Sequence, residues 1–213
     1  MYVGRIVAVG RSRGGSLAAM YRVSSRSFPN RHAVTNDRGV AIVPKEGHET
    51  DVQRNPYIAY NCLRLVGDYA VATNGAQTDP VADKLATGMS PRDALALSLL
   101  TLDYEHDHLN TPRIAAIVKR GSETGCLGIV RHDGLMVREF PLEAGTAYYV
   151  CTYEKDVPSE SYRDTGFDVK SADAACEYML TGGVFAEFER PVTAVTALQA
   201  AEGGFETAAK DAG

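Results

Sequence analysis

Residues 90–104 read SPRDALALSLLTLDY, and this stretch decides between an all-β chain and a mixed one. Serine followed by proline supplies a helix N-cap and a first helical position whose N–H would go unused anyway. Leu95, Leu99 and Leu102, flanked by Ala94 and Ser98, recur at the spacing of a helix that lays one face on a sheet. Asp79-Pro80 gives the same start signal earlier, so the helical block runs from Asp79 to about Tyr104.

On both sides of that block the period drops to two. YVGRIVAVG (2–10), SLAAMYRVS (16–24) and GVAIVP (39–44) are β-branched or small apolar runs between turn formers. NPYIAYNCLRLVG (55–67) and DYAVATNG (68–75) read as two strands joined at Gly67-Asp68. RIAAIVK, CLGIVRHDG, LMVREF and TAYYVCTY return to strand, with His132-Asp133-Gly134 as a hairpin turn. SADAACEYMLTG reads as a helix capped by Ser171 and stopped by Gly182-Gly183, and PVTAVTALQA as a last strand. The tail from about residue 203 is expected to fray. The expected class is α+β, with helices covering two stacked sheets, in a single domain over residues 1–213.

With 213 residues, 45% of them hydrophobic and 23% charged, such a domain holds a core without disulfides or a structural metal. The net charge of -5 argues against nucleic acid as a partner, which wants a basic face. No apolar run approaches the roughly 20 residues that span a membrane, and the start is too briefly apolar for a signal peptide. Cys62, Cys126, Cys151 and Cys176 form no C-x-x-C pair, which fits reduced, buried thiols of a cytoplasmic protein. Charge is unevenly spread, however. Residues 1–64 hold ten Lys/Arg against four acids, so an electropositive pocket is expected in this third of the chain.

YRVSSRSFPNR (21–31) concentrates that surplus. Guanidinium forks match phosphate oxygens, and serine hydroxyls add short donors, so one reading is a phosphate and sugar pocket. A basic, solvated strand end is the other. Arg22, Ser24 and Arg26 share one face if the strand is regular. In NPYIAYNCLR, a strand would send Tyr57 and Asn61 to one side and Tyr60 to the other; a satisfied sheet explains these residues as well. Asn74-Gly75 marks either an oxyanion-facing turn or an ordinary one. LDYEHDHLNTPR (102–113) is the densest titratable cluster. Its histidines are two apart and fan away from each other, and no distant motif completes a metal site. Glu105 or Asp103 is the candidate general base, while His106, Asp107 and His108 are expected to be a solvated helix end. Phosphate-loop, dinucleotide and nucleophile-elbow motifs are absent.

Taken together, YVGRIVAVGR, YRVSSRSFPNR, VPKEGHE, NPYIAYNCLR, NGAQTD, LDYEHD and LNTPRIAA resemble the archaeal-type IMP cyclohydrolase family, densely over residues 1–120. DGLMV and GGVFAEFERPVTAV extend the likeness to about residue 200. The resemblance implies a four-layer αββα sandwich similar to N-terminal-nucleophile hydrolases but without the nucleophile. The absence of Cys, Ser or Thr at the start of this chain agrees with that. It also implies a homotetramer that needs no cofactor and acts on a small purine-precursor nucleotide, closing its ring to IMP. On that basis Arg22, Ser24, Ser25 and Arg26 would bind the phosphate, and Tyr21 would also contact the substrate. Arg31 and Lys45 would stabilise an oxyanion near Asn74 and Gly75. Tyr60 or Tyr57 would donate a proton, and Glu105 would orient or deprotonate the carboxamide. Asn61, Asn110, Thr111 and Arg113 would read ribose or base. Two other functions stay open: a silent purine-nucleotide binder and an amidohydrolase on the same fold.

Overall fold

The period-two runs do become strands, and antiparallel pairing sorts them into two sheets in the computed structural model, which describes residues 1–213. The first half holds β1 (Ile6–Arg11), β2 (Leu17–Ser24), β3 (Arg31–Asn36), β4 (Gly39–Pro44), the short α1 (Asp51–Arg54), β5 (Tyr60–Val66) and β6 (Tyr69–Thr73). Helices α2 (Thr78–Ala86) and α3 (Pro91–Leu102) follow. The second half holds β7 (Arg113–Lys119), β8 (Thr124–Arg131), β9 (Gly134–Pro141), β10 (Thr146–Cys151), β11 (Arg163–Asp164), α4 (Ala172–Thr181), β12 (Pro191–Gln199) and β13 (Phe205–Asp211). One sheet has the order β11-β10-β1-β2-β12-β13, and the other runs β3 to β9 in sequence order.

Three apolar clusters separate the layers. Along β2, Leu17, Ala19, Tyr21 and Val23 face the second sheet, meeting Val40, Ile42, Leu63 and Ile114. Ala18 and Met20 point the other way, onto Ala175, Cys176 and Met179 of α4. Across the second sheet, Leu95 and Leu99 of α3 pack with Val81 of α2 on Ala115 and Ile117. The alternation along each strand thus feeds two cores at once. Ser90 caps α3 by accepting the Asp93 N–H, with Pro91 at the first position, and Ser171 caps α4 in the same way. No helix is long and apolar enough to cross a membrane.

Three local expectations are corrected, and one segment without a clear period is a strand. Helix α2 begins at Thr78, not Asp79, because Pro80 still falls in the first turn, where no intrahelical N–H is needed. Residues Pro56–Ile58 form a 3-10 turn capped by Asn55, so Tyr57 precedes the strand instead of alternating within it. The segment after Pro29 forms β3, an edge strand whose mostly polar residues hid the period. The tail is ordered as β13, paired from Phe205 to Asp211 along β12 and tied by Lys210 to Glu177 of α4 and by Asp211 to Lys45.

Arg22 exposes the largest departure. Its even spacing from Ser24 does place both on one face of β2, but that face looks outward onto α4. The side chain is 0% exposed. Its guanidinium donates to the carbonyls of Met179 (3.0 Å), Phe185 (2.7 Å) and Phe188, and Nε donates to Ser24 Oγ at 3.0 Å. Met179 lies in the last turn of α4, where carbonyls lack intrahelical partners and a cation suits the dipole. Burial lowers the pKa of Arg22 to about 10, which leaves it cationic at neutral pH. Arg22 is a helix clamp. Replacing it by Leu strands several buried carbonyls at roughly 1–3 kcal/mol each. Urea unfolding of Arg22→Leu should therefore show a loss of about 3 kcal/mol or more; an unchanged midpoint would mean that water substitutes for the clamp.

Candidate active site

Antiparallel order gathers distant residues at one end of the two sheets. The starts of β1, β3, β5 and β7 and the ends of β2, β6 and β10 all lie there. Arg5, Ser25, Arg31, Tyr60, Arg113 and Tyr153 each sit at or one or two residues beyond one of these ends. A deep cavity of about 50 Å³ is lined by Arg5, Ser25, Arg31, Tyr57, Thr111 and Tyr153 among others. It opens past Tyr2, Ser27, Leu109 and Tyr153 into an outer hollow of about 610 Å³ that also meets Arg26. Tyr57 links the deep cavity to a side hollow walled by Tyr60, Gly75 and Arg113.

Glu105 is the centre of charge. The chain leaves α3 through Asp103 at φ 57, and the Glu105 N–H donates to Thr111 O at 2.8 Å, closing a compact loop. Asp107 braces that loop from inside: its carboxylate accepts the N–H groups of Leu109 and Thr111 and the Thr111 hydroxyl. Glu105 is 1% exposed. Oε2 accepts Arg5 Nη2 at 2.9 Å, while Oε1 lies 4.0 Å from Arg113 Nη1 and has no hydrogen-bond partner. Arg5 Nε and Arg113 Nε are likewise buried and unpartnered. Two guanidiniums around one carboxylate leave a net positive pocket with donors and one acceptor unspent. A ligand with anionic and amide-like groups would complete it.

Burial raises the pKa of Glu105 above the ordinary carboxylate value, against the pull of Arg5 and Arg113. Burial also works against the charge on Arg5, yet Glu105 and the nearby tyrosines hold that guanidinium above its usual value. Arg113 is fixed from behind. Its Nη1 donates to Gln77 Oε1 at 3.2 Å, Gln77 Nε2 donates to Asn74 Oδ1 and Ile114 O, and the guanidinium lies 5.5 Å from the Tyr57 ring centre.

Beneath the cavity, Tyr60 Oη and Tyr21 Oη are 2.5 Å apart in the inter-sheet core. Burial raises both phenol pKa values, and Arg5 and Arg31 oppose the rise at each. Arg31 is itself buried and anchored by donating Nε to Phe28 O at 3.0 Å. Ser25 Oγ accepts the Phe28 N–H, which leaves its own proton free to donate.

The structure therefore brings together Glu105, Arg31, Tyr60, Tyr57, Ser25, Thr111, Gly75 and Arg113. Others it places elsewhere. Arg22 and Ser24 belong to the α4 clamp. Lys45 is exposed and paired with Asp211 at 3.1 Å, tying the edges of the two sheets together outside the cleft. Asn61 faces α2, where it donates to Asp79 and accepts from Asn36. Asn74 is buried, with its amide spent on Pro112 O, Gln77 and the Ile114 N–H. The Gly75 N–H is taken by Thr73 Oγ1, so that amide is not free to face an oxyanion. Asn110, at φ 48, lines a neighbouring polar hollow. Arg26 stays at the mouth, exposed, 4.1 Å from the Tyr2 ring centre and paired with Glu189. Asp107 is a brace and His108 a cavity wall, not a solvated helix end.

Arg5, Gln77 and Tyr153 also belong to this cluster, although no sequence motif marks them. The signal for Arg5 was the glycine before it: Gly4 has φ +69, and a Cβ there would lie 2.1 Å from Thr152 Oγ1. Only glycine makes that turn, which aims Arg5 at Glu105.

The family model described as "IMP cyclohydrolase-like protein" matches residues 2–203. Relatives named "IMP cyclohydrolase" include one from Methanosphaera stadtmanae, 47% identical over 92% of this chain and 94% of its own. Another, from Methanocella arvoryzae, is 48% identical over 93% of each chain. A third, from Methanothrix thermoacetophila, is 44% identical over 98% of each.

Carbon NMR of labelled glutamate should place the Glu105 titration above 4.5, with Glu49, Glu177 and Glu189 below it. At Gly75 a Cβ would come within 2.5 Å of Arg113 Nη1. Gly75→Ala should thus push Arg113 away and move Glu105 higher still; a Glu105 value below 4.5 in the parent protein would mean that the two guanidiniums outweigh burial.

Proposed function

The chain belongs to the IMP cyclohydrolase-like family, and from that membership we propose that it closes the ring of 5-formamido-1-(5-phosphoribosyl)imidazole-4-carboxamide to IMP with loss of water. The observation that carries the chemistry is the buried Glu105 carboxylate, with one oxygen unpartnered between Arg5 and Arg113 and Tyr60 walling the adjoining hollow.

The reaction needs no redox change and no covalent intermediate, so it asks the protein for positioning, oxyanion stabilisation and proton movement. Glu105 accepts a proton from the carboxamide nitrogen as that nitrogen bonds to the formyl carbon. The C=O π pair moves to oxygen, which takes the Tyr60 proton and becomes a hydroxyl. Arg5 and Arg31 face the developing negative charge. The hydroxyl then leaves as water with the proton held on Glu105, and the former formamide N–H returns its proton to Tyr60. All protons balance, and both residues end as they began. Tyr57, held under Arg113, offers a face to the flat heterocycle, while Thr111 can meet the ribose. The phosphate belongs at the mouth, where Arg26, Ser25 and Ser27 line the opening.

The same reading takes the chain as one domain whose sheets, stacked between helices, follow the N-terminal-nucleophile-hydrolase pattern, and as a cytoplasmic homotetramer. The stacking of two antiparallel sheets under α4 on one side and α2 and α3 on the other supports the architecture. An amidohydrolase with an internal cysteine finds no support. All four thiols are buried, and burial pushes Cys126 up to about 12 and Cys176 up to about 11.

The test is incubation with the formamido ribonucleotide, free of folate and with a chelator, following IMP by absorbance and chromatography. Turnover well above the uncatalysed rate is expected. IMP binding without turnover would leave a silent binder. Glu105→Gln should lower kcat by about 10²–10³-fold with KM little changed, and Arg26→Ala should mainly raise KM. A general base works only when ionised, so kcat/KM should fall as pH drops through the raised Glu105 value, above pH 4.5, and Glu105→Gln should lose that limb.

A further inference from the structure

Tyr21 lies one layer below the proposed chemistry. It is 0% exposed, its ring packs among the inter-sheet core residues, and it lines none of the hollows at the sheet ends. It therefore cannot touch a ligand. Its hydroxyl has one hydrogen-bond partner, Tyr60 Oη at 2.5 Å. Phenylalanine would fill the same apolar space without a hydroxyl to desolvate, so the hydroxyl calls for an explanation.

The direction of the bond follows from position. Tyr60, the first residue of β5, walls the side hollow beside Gly75 and Arg113, so its own proton is the one that can face a ligand. Between two hydroxyls only one proton can lie on the shared line. If Tyr60 points outward, Tyr21 must be the donor. The charged or titratable groups facing the pair are Arg5 before β1, Arg31 on β3 and the Cys62 thiol on β5. The two guanidiniums favour negative charge on the pair, and the donated hydrogen bond from Tyr21 concentrates that charge on Tyr60.

We propose that Tyr21 is a positioning residue for proton transfer by Tyr60: its hydroxyl donates to Tyr60 Oη, aims the Tyr60 proton at the ligand and holds the phenolate that remains after the proton has gone to the formyl oxygen. The inference rests on the assignment of Tyr60 as the acid in the reaction above. No new bond or co-reactant enters, because the phenolate recovers its proton from the former formamide nitrogen as water leaves.

The experiment is a double-mutant cycle of Tyr21→Phe and Tyr60→Phe, with kcat, KM and the pH profile measured for each. A hydrogen bond to a charged group corresponds to about 10–100-fold in rate, so Tyr21→Phe should lower kcat by that factor and leave KM in place. Without its donor, the Tyr60 phenolate is harder to form. The alkaline limb of kcat/KM, where Tyr60 loses its proton, should accordingly move to higher pH in Tyr21→Phe. In the Tyr60→Phe background the second change should do nothing. Parent-like kcat in Tyr21→Phe, an unmoved limb, or the same loss in both backgrounds would overturn the inference and leave Tyr21 a packing residue. Full activity of Tyr60→Phe alone would remove the acid on which it rests, and an inactive parent protein would remove the reaction itself. Because the parent and each single variant are assayed separately, these failures are distinguishable. Should Tyr21→Phe melt early, 3-fluorotyrosine at position 21, which keeps the donor, should retain turnover; loss of turnover there would count against the inference.

Discussion

A carboxylate taken out of water governs this molecule. Placing Glu105 almost wholly inside carries a desolvation cost of several kcal/mol, which only close cations and hydrogen bonds can offset. Arg5 offsets it on one oxygen; the other is left open toward Arg113. Much of the surrounding detail follows from holding those three groups still. Gly4 turns the chain so that Arg5 arrives, Asp107 stiffens the loop that carries Glu105, and the Asn74–Gln77 amides fix Arg113 from behind. Within this network Glu105 Oε1, Arg5 Nε and Arg113 Nε lack partners, and Arg5 and Arg113 each wall a hollow, a pattern expected of a preorganised site.

Why it sits where it does is a matter of sheet geometry. In an antiparallel sheet every second connection falls at the same end, so two stacked sheets present a row of chain reversals there. Reversals tolerate polar side chains, and the rigid strands behind them restrict movement. Residues as far apart as Arg5 and Tyr153 thereby become walls of one cavity without a long loop to bring them together.

Periodicity made the elements legible. SPRDALALSLLTLDY is a capped helix with its apolar stripe on the sheet, and the hairpin at His132-Asp133 is where its residues put it. Strand faces were legible in spacing but not in sign. Arg22 and Ser24 do share a face, yet spacing carries no information on which of two cores that face meets. Edge strands β3 and β13 were hard to read because an edge needs little apolar surface. At the candidate site, Glu105, Arg31, Tyr60 and Arg113 were legible as candidates from residue chemistry and family likeness, and they do lie close together. Arg5 was not, because an arginine inside an apolar run resembles a strand-end charge until its buried partner, a hundred residues on, is in view. Lys45 erred the other way: it carries the right charge at the right end of the sheets, but at their outer edge.

Tyr21 and Arg22 are neighbours on β2 that point in opposite directions, one into the core beneath the cavity and the other into the grip on α4. The strand is a shared beam. A change that loosens the outer clamp lets the beam tilt, and its inner side chain moves with it. On the mechanism proposed above, durability and rate are thus mechanically linked along these eight residues. Attempts to harden the protein would do better on the outer surface of α3, which packs against neither face of β2.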